Sequence, residues 1–92
     1  MTTLHILHRL EQGRLPGALQ RSLGPDDALL LCGDGVYAAL SARHELPPQC
    51  HALHDDVRAR GLLPQWPADV RLVDHGAFVD LCVLHACSLS WG

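Results

Sequence analysis

The chain has 92 residues, of which 48% are hydrophobic and 18% charged. That composition excludes a disordered tail, and a domain this small buries only about 60–65% of its unfolded surface, enough for one core and not two. Seven Arg, no Lys and ten acids give a net charge of −3; so little positive charge argues against direct nucleic-acid binding.

Residues 1–92 therefore read as a single domain, and its elements follow in order. Leu4 to Leu7 is a first strand. Leu10 to Leu23 places Leu10, Leu15, Leu19 and Leu23 mostly four apart, the spacing of an amphipathic helix, with Pro16 near its start. Gly24-Pro25-Asp26-Asp27 is a turn: Gly ends the helix and Pro blocks its continuation. Ala28 to Cys32 is apolar without polar alternation, which marks a strand buried on both faces at the centre of a parallel sheet. Gly33-Asp34-Gly35 is a tight exit, and Asp34 is placed to cap a helix over Val36 to Ser41.

Glu45 to Gln49, with Pro47-Pro48, is a loop, and Cys50 to Leu53 is a short strand. His54 to Arg60 is a helix with acids first and Arg last, stopped by Gly61. Leu63 to Pro67 is a loop holding Trp66, and Val70 to Asp74 is a strand. Gly76 to Ala86 is a helix carrying Phe78, Leu81, Cys82 and His85 on one stripe. Ser88 to Trp91 alternates polar and apolar, as a short edge strand does. The order βαβαβαβαβ predicts a three-layer α/β/α fold around a mostly parallel sheet of about five strands.

No apolar run reaches ~18 residues, so no membrane span is expected. The stretch Met1 to His5 lacks the basic and apolar regions of a signal peptide, and a cytoplasmic location is expected. Cys32, Cys50, Cys82 and Cys87 form no Cys-x-x-Cys pair; in a reducing compartment they are free thiols.

Cys32 is the candidate catalytic residue. Ligands in open α/β sheets bind beyond the carboxyl ends of strands, and a thiol facing a helix N-terminus has a lowered pKa. The plainer alternative is that Cys32 is the last buried residue of its strand, Cys being among the most buried residue types. Cys82 lies on a helix stripe, no cation flanks Cys87, and Cys50 and His51 point to opposite faces of a strand. His51 and His54, like Cys82 and His85, are three apart, but four convergent ligands are not evident, and no metal site is expected. Gly33-Asp34-Gly35 lacks the third Gly of a dinucleotide fingerprint and the Gly-Lys-Ser/Thr of a P-loop, so no cofactor is expected. Asp55, Asp56 and Asp74 are accounted for by helix capping and solvent exposure. Leu89 and Trp91 point to one face of the last strand and are the candidate interface residues.

Four stretches together resemble the TusB/DsrH family: Leu4 to Arg9, Leu29 to Ala39, Leu53 to Gly61, and Val73 to Leu81, with Ser90-Trp91 at the close. The strand–Asp-Gly-Val–Ala-Ala unit and the Asp-x-x-x-Phe-Val segment are the most specific pieces. The resemblance implies a DsrE-like α/β/α fold and a heterohexamer with TusC-like and TusD-like subunits. It implies a relay of persulfide sulfur, ending in the Tus branch in 2-thiolation of the tRNA wobble uridine and serving sulfur oxidation in the Dsr branch. The sulfur-accepting Cys of such complexes lies on the D/E-type subunit. Some DsrH-type members carry a Cys in the first helix; Pro16 to Ser22 here has none, which favours the Tus branch. The implied role is a subunit that is not an enzyme on its own. Two alternatives stand beside it: a direct persulfide carrier using Cys32, and a ligand-binding domain using the Gly33–Gly35 turn.

Overall fold

The computed structural model describes residues Thr2 to Trp91. Five strands form one sheet: β1 (Thr3–Leu7), β2 (Ala28–Leu31), β3 (Cys50–Leu53), β4 (Arg71–Val73) and β5 (Cys87–Trp91). Their order across the sheet is β4-β3-β2-β1-β5, and every neighbouring pair is parallel. The helices are α1 (Gly17–Ser22), α2 (Ala38–Ser41), α3 (His54–Ala59) and α4 (His75–Leu84).

The central placement of β2 follows from its sequence. All four of its residues are buried, with Leu29 and Leu31 on one face and Ala28 and Leu30 on the other. The first face meets Leu19 of α1, Ala38 and Ala39 of α2 and Val57 of α3. The second meets Phe78, Leu81 and Cys82, so α4 alone packs on that side. His85, expected on that stripe, is instead the extended C-cap just beyond α4, and it is buried. Asp74 caps α4 by accepting from the Ala77 amide at 2.8 Å.

Three local expectations are corrected. The predicted helix from Leu10 to Leu23 is helical only over Gly17–Ser22. Glu11 and Arg14 instead exchange two backbone hydrogen bonds of 2.9 Å around Gln12-Gly13, whose φ values are both positive (51° and 76°). This is the geometry of a two-residue hairpin turn, and it overrides the leucine spacing. Pro16 then stands at the N-cap with extended backbone, so the helix begins only after it. The helix expected over Val36 to Ser41 is split into a 3-10 turn over Gly33–Tyr37 and the short α2. Asp34 lies inside that turn and caps nothing; its carboxylate accepts from Arg60 Nε at 3.1 Å. Arg43–Glu45 and Leu63–Gln65 are also 3-10 turns; the second lies within the loop expected over Leu63 to Pro67, and the first meets the expected loop only at Glu45.

Candidate functional site

Parallel pairing aligns the carboxyl ends of β1 and β2. Leu7 is opposite Leu31, so the next residues, His8 and Cys32, emerge side by side. Three backbone bonds clamp the junction: the Cys32 amide donates to Leu7 O (3.0 Å), the Gly35 amide to His8 O (3.1 Å) and the His8 amide to Trp91 O (3.0 Å). Gly35 is required here, because a Cβ would collide with the Leu7 carbonyl.

Cys32 Sγ lies 3.2 Å from His8 Nδ1 and 3.6 Å from Leu7 O. The thiol hydrogen has Leu7 O as an acceptor, and His8 Nδ1 pairs with the sulfur as acceptor or donor according to its tautomer, while Cys32 itself is buried and His8 is exposed. Burial pushes the Cys32 thiol above its ordinary pKa, and the Asp56 carboxylate pushes it further, against a smaller opposing effect of Arg60. The lowered pKa expected from a facing helix N-terminus is therefore corrected to a raised one. The nearby amides are already spent: Gly33 N donates to Asp56 Oδ2 at 2.8 Å, and Gly35 N to His8 O and Cys32 O.

Asp56 thus has a role that capping and exposure did not cover. Arg60 Nη1 holds the Asp56 carbonyl at 3.1 Å, and the same guanidinium holds Asp34, so α3 is tied to the Gly33–Gly35 turn. Asp55 is exposed and has the rings of His54 and His75 and the Arg58 guanidinium within 3.7–3.8 Å.

The other thiols lie apart from this edge. Cys50 is in the core, where burial, and then Asp69, raises its pKa to about 12. Cys82 is half-buried on the sheet-facing side of α4, and Cys87 is exposed on β5. Among the described residues, no group of three or more His, Cys, Asp or Glu side chains is arranged to hold a metal ion.

Of the candidate interface pair, Leu89 is 46% exposed on the free edge strand. Trp91 packs partly against the core, stacks on His5 and donates from Nε1 to His5 Nδ1 at 3.0 Å. Sequence reasoning missed His8 as the partner of Cys32. The available signal was the strand register, since one residue past each of two paired parallel strands are neighbours.

The residues of this edge belong to a chain whose sequence matches the family model of DsrH-like proteins over residues 11–88, and the chain belongs to that family. Its relatives include Protein TusB of Escherichia coli K12, 39% identical over 94 residues, covering 96% of this chain and 99% of the relative. Protein TusB of Shigella dysenteriae serotype 1 is 38% identical and that of Escherichia fergusonii 39%, with the same coverage. No described helix is long and apolar enough to cross a membrane.

Proposed function

We propose that this chain is the TusB-type subunit of a cytoplasmic sulfur-relay complex that supports 2-thiolation of the tRNA wobble uridine, and that it carries no sulfur itself. Its partners are TusC-like and TusD-like subunits in a heterohexamer, and the sulfur-accepting cysteine is theirs. The full-length likeness to TusB proteins supports the subunit role. The observation that carries the non-catalytic reading is the state of Cys32. A relay thiol attacks as the thiolate, and here burial and the Asp56 charge disfavour the thiolate. In this reading the free β5 edge with Leu89 faces a partner subunit, and Trp91 backs that edge from inside.

Co-expression of the full chain with its TusC-like and TusD-like neighbours tests the assembly. Native mass spectrometry should find all three in one complex. Recovery of the other two as a complete complex without this chain would contradict it.

One observation favours a second reading, in which Cys32 accepts sulfur directly: His8 Nδ1 is 3.2 Å from Sγ and is placed to take the thiol proton. The sulfane sulfur of a donor persulfide would then bond to Cys32 Sγ, releasing the donor as its thiolate. A +32 Da adduct on Cys32 after incubation with a persulfide donor would mark that route.

A further inference from the structure

Parallel sheets are normally covered on both faces. Here α1, α2 and α3 cover one face and α4 alone lies on the other, which leaves a groove between α4 and the β3–β4 side of the sheet. The groove has two lobes, of about 330 Å³ and about 410 Å³, that share His51, Arg71, Leu81 and Leu84. The first lobe reaches Gln49 and His85, and the second runs along Leu72, Val73 and Ala77. Cavities of this size hold small molecules.

The first lobe is built of hydrogen-bond donors. Strand register puts His51 beside Arg71. His51 Nδ1 is buried without a hydrogen-bond partner. The ring hydrogen therefore belongs on Nε2, where a ligand in the groove can accept it; on Nδ1 it would be a buried donor with nothing to bond. Burial, then Arg71 and His85, hold the His51 pKa below its ordinary value, so the ring is a neutral donor beside the Arg71 charge. His85 is 8% exposed and is held through Nδ1 by Thr2 Oγ1 at 2.9 Å.

Acids do little to offset this end. Asp69 is paired with Arg43 at 3.0 Å, and Asp80 borders only the second lobe. Among the described residues Arg71 makes no ion pair within the chain. The second lobe is mostly apolar, and part of it stands in water: Leu72 is 37% exposed and Leu84 75%.

We infer that this groove binds a small organic anion, with its carboxylate or other oxyanion head on Arg71 and His51 Nε2 and its apolar body along Val73, Ala77 and Leu84. A guanidinium and an imidazole N–H both donate to an oxyanion, and the charge strengthens the pair. The body removes apolar surface of the second lobe from water. An inorganic ion would leave that lobe empty, and a neutral apolar molecule would leave Arg71 without an acceptor.

The test uses the full-length chain with octanoate as the probe, and 1-octanol and inorganic sulfate as its two halves. Nuclear magnetic resonance follows the His51 ring and Leu84 methyl signals. Octanoate should shift both saturably at millimolar concentration, and octanol and sulfate should each bind about tenfold or more weaker. Arg71→Gln, on the edge strand β4 and shown by circular dichroism to be folded, should weaken octanoate about tenfold and leave octanol unchanged. Sulfate binding as tightly as octanoate would mean an adventitious ion only, and equal binding of octanol would mean apolar adsorption; either result overturns the inference. Octanoate that shifts neither signal overturns it too, as does an Arg71→Gln chain that binds octanoate like wild type. If Arg71→Gln fails to fold, Leu84→Asp on the exposed side of α4 replaces it and must weaken octanoate to the same degree. A chain that joins TusC-like and TusD-like partners but does not bind octanoate defeats this inference and leaves the subunit reading intact.

Discussion

Trp91 and His5 are 86 residues apart, yet the indole Nε1–H donates to the imidazole Nδ1 at 3.0 Å and the rings stack with an interplanar angle of 28°. An indole nitrogen only donates, so His5 Nδ1 must accept, and the ring hydrogen sits on Nε2, which donates to Asp27 Oδ2 at 3.0 Å. The line Trp91–His5–Asp27 thus joins β5, β1 and the turn before β2. Replacing Trp91 with Phe keeps an aromatic ring over His5 but leaves a buried acceptor empty. The expected cost is about 1–2 kcal/mol, read as a lowered Tm. An unchanged Tm would show that the hydrogen bond contributes nothing.

Asp27 ends that line, and its environment sets a pH dependence. Its pKa is held down to about 2, first by the Gly24 amide, then by His5 and the Thr3 amide. A carboxylate with a depressed folded-state pKa stabilises fully above its unfolded value, near 3.8, and loses that contribution as pH falls towards 2. The Asp27 side chain is 12% exposed, and a shift of this size corresponds to on the order of 2 kcal/mol. Asp27→Asn should therefore destabilise at neutral pH, and the gap to wild type should close between about pH 4 and pH 2. A gap independent of pH would assign the loss to geometry rather than charge.

Gly35→Ala should cost more than either change. The added methyl would meet the Leu7 carbonyl, which is backbone of a central strand and cannot swing away. A destabilisation of about 2–3 kcal/mol or more is expected from such overpacking, measured by urea unfolding. A cost below about 0.5 kcal/mol, within the ordinary range for surface changes, would show that the β1–β2 junction is softer than its hydrogen bonds indicate.

Leu89→Asp probes the edge of β5. Leu89 is exposed, so the variant should fold with a Tm close to that of wild type. It should also fail to co-purify with TusC-like and TusD-like subunits. Normal co-purification would move the interface away from this edge.

The sheet was legible because its strands announce themselves in different ways. Ala28 to Leu31 is uniformly apolar and became the central strand; Ser88 to Trp91 alternates and became an edge. The first helix was misjudged because leucines four apart also suit a loop folding onto a core, and Gln12 at positive φ is not a residue type that flags a turn. Cys32 was identified, but its chemistry was not. Its pKa is raised first by burial and then by Asp56, which reaches the Gly33 amide from 23 residues away, and a 3-10 turn stands where an α-helix was expected. Contacts of that kind come from tertiary packing, and residue spacing does not encode them.

In the proposed role the chain supports thiolation without carrying sulfur. The direct measurement is 2-thiouridine in tRNA, quantified by mass spectrometry, in cells whose sole copy is Cys32→Ser. Serine should cost about 1 kcal/mol at most, since its hydroxyl can still donate to Leu7 O and pair with His8 Nδ1. Wild-type thiolation is expected in the Cys32→Ser cells, and its loss when the whole chain is deleted. Loss of 2-thiouridine in cells making normal amounts of the folded Cys32→Ser protein would contradict it.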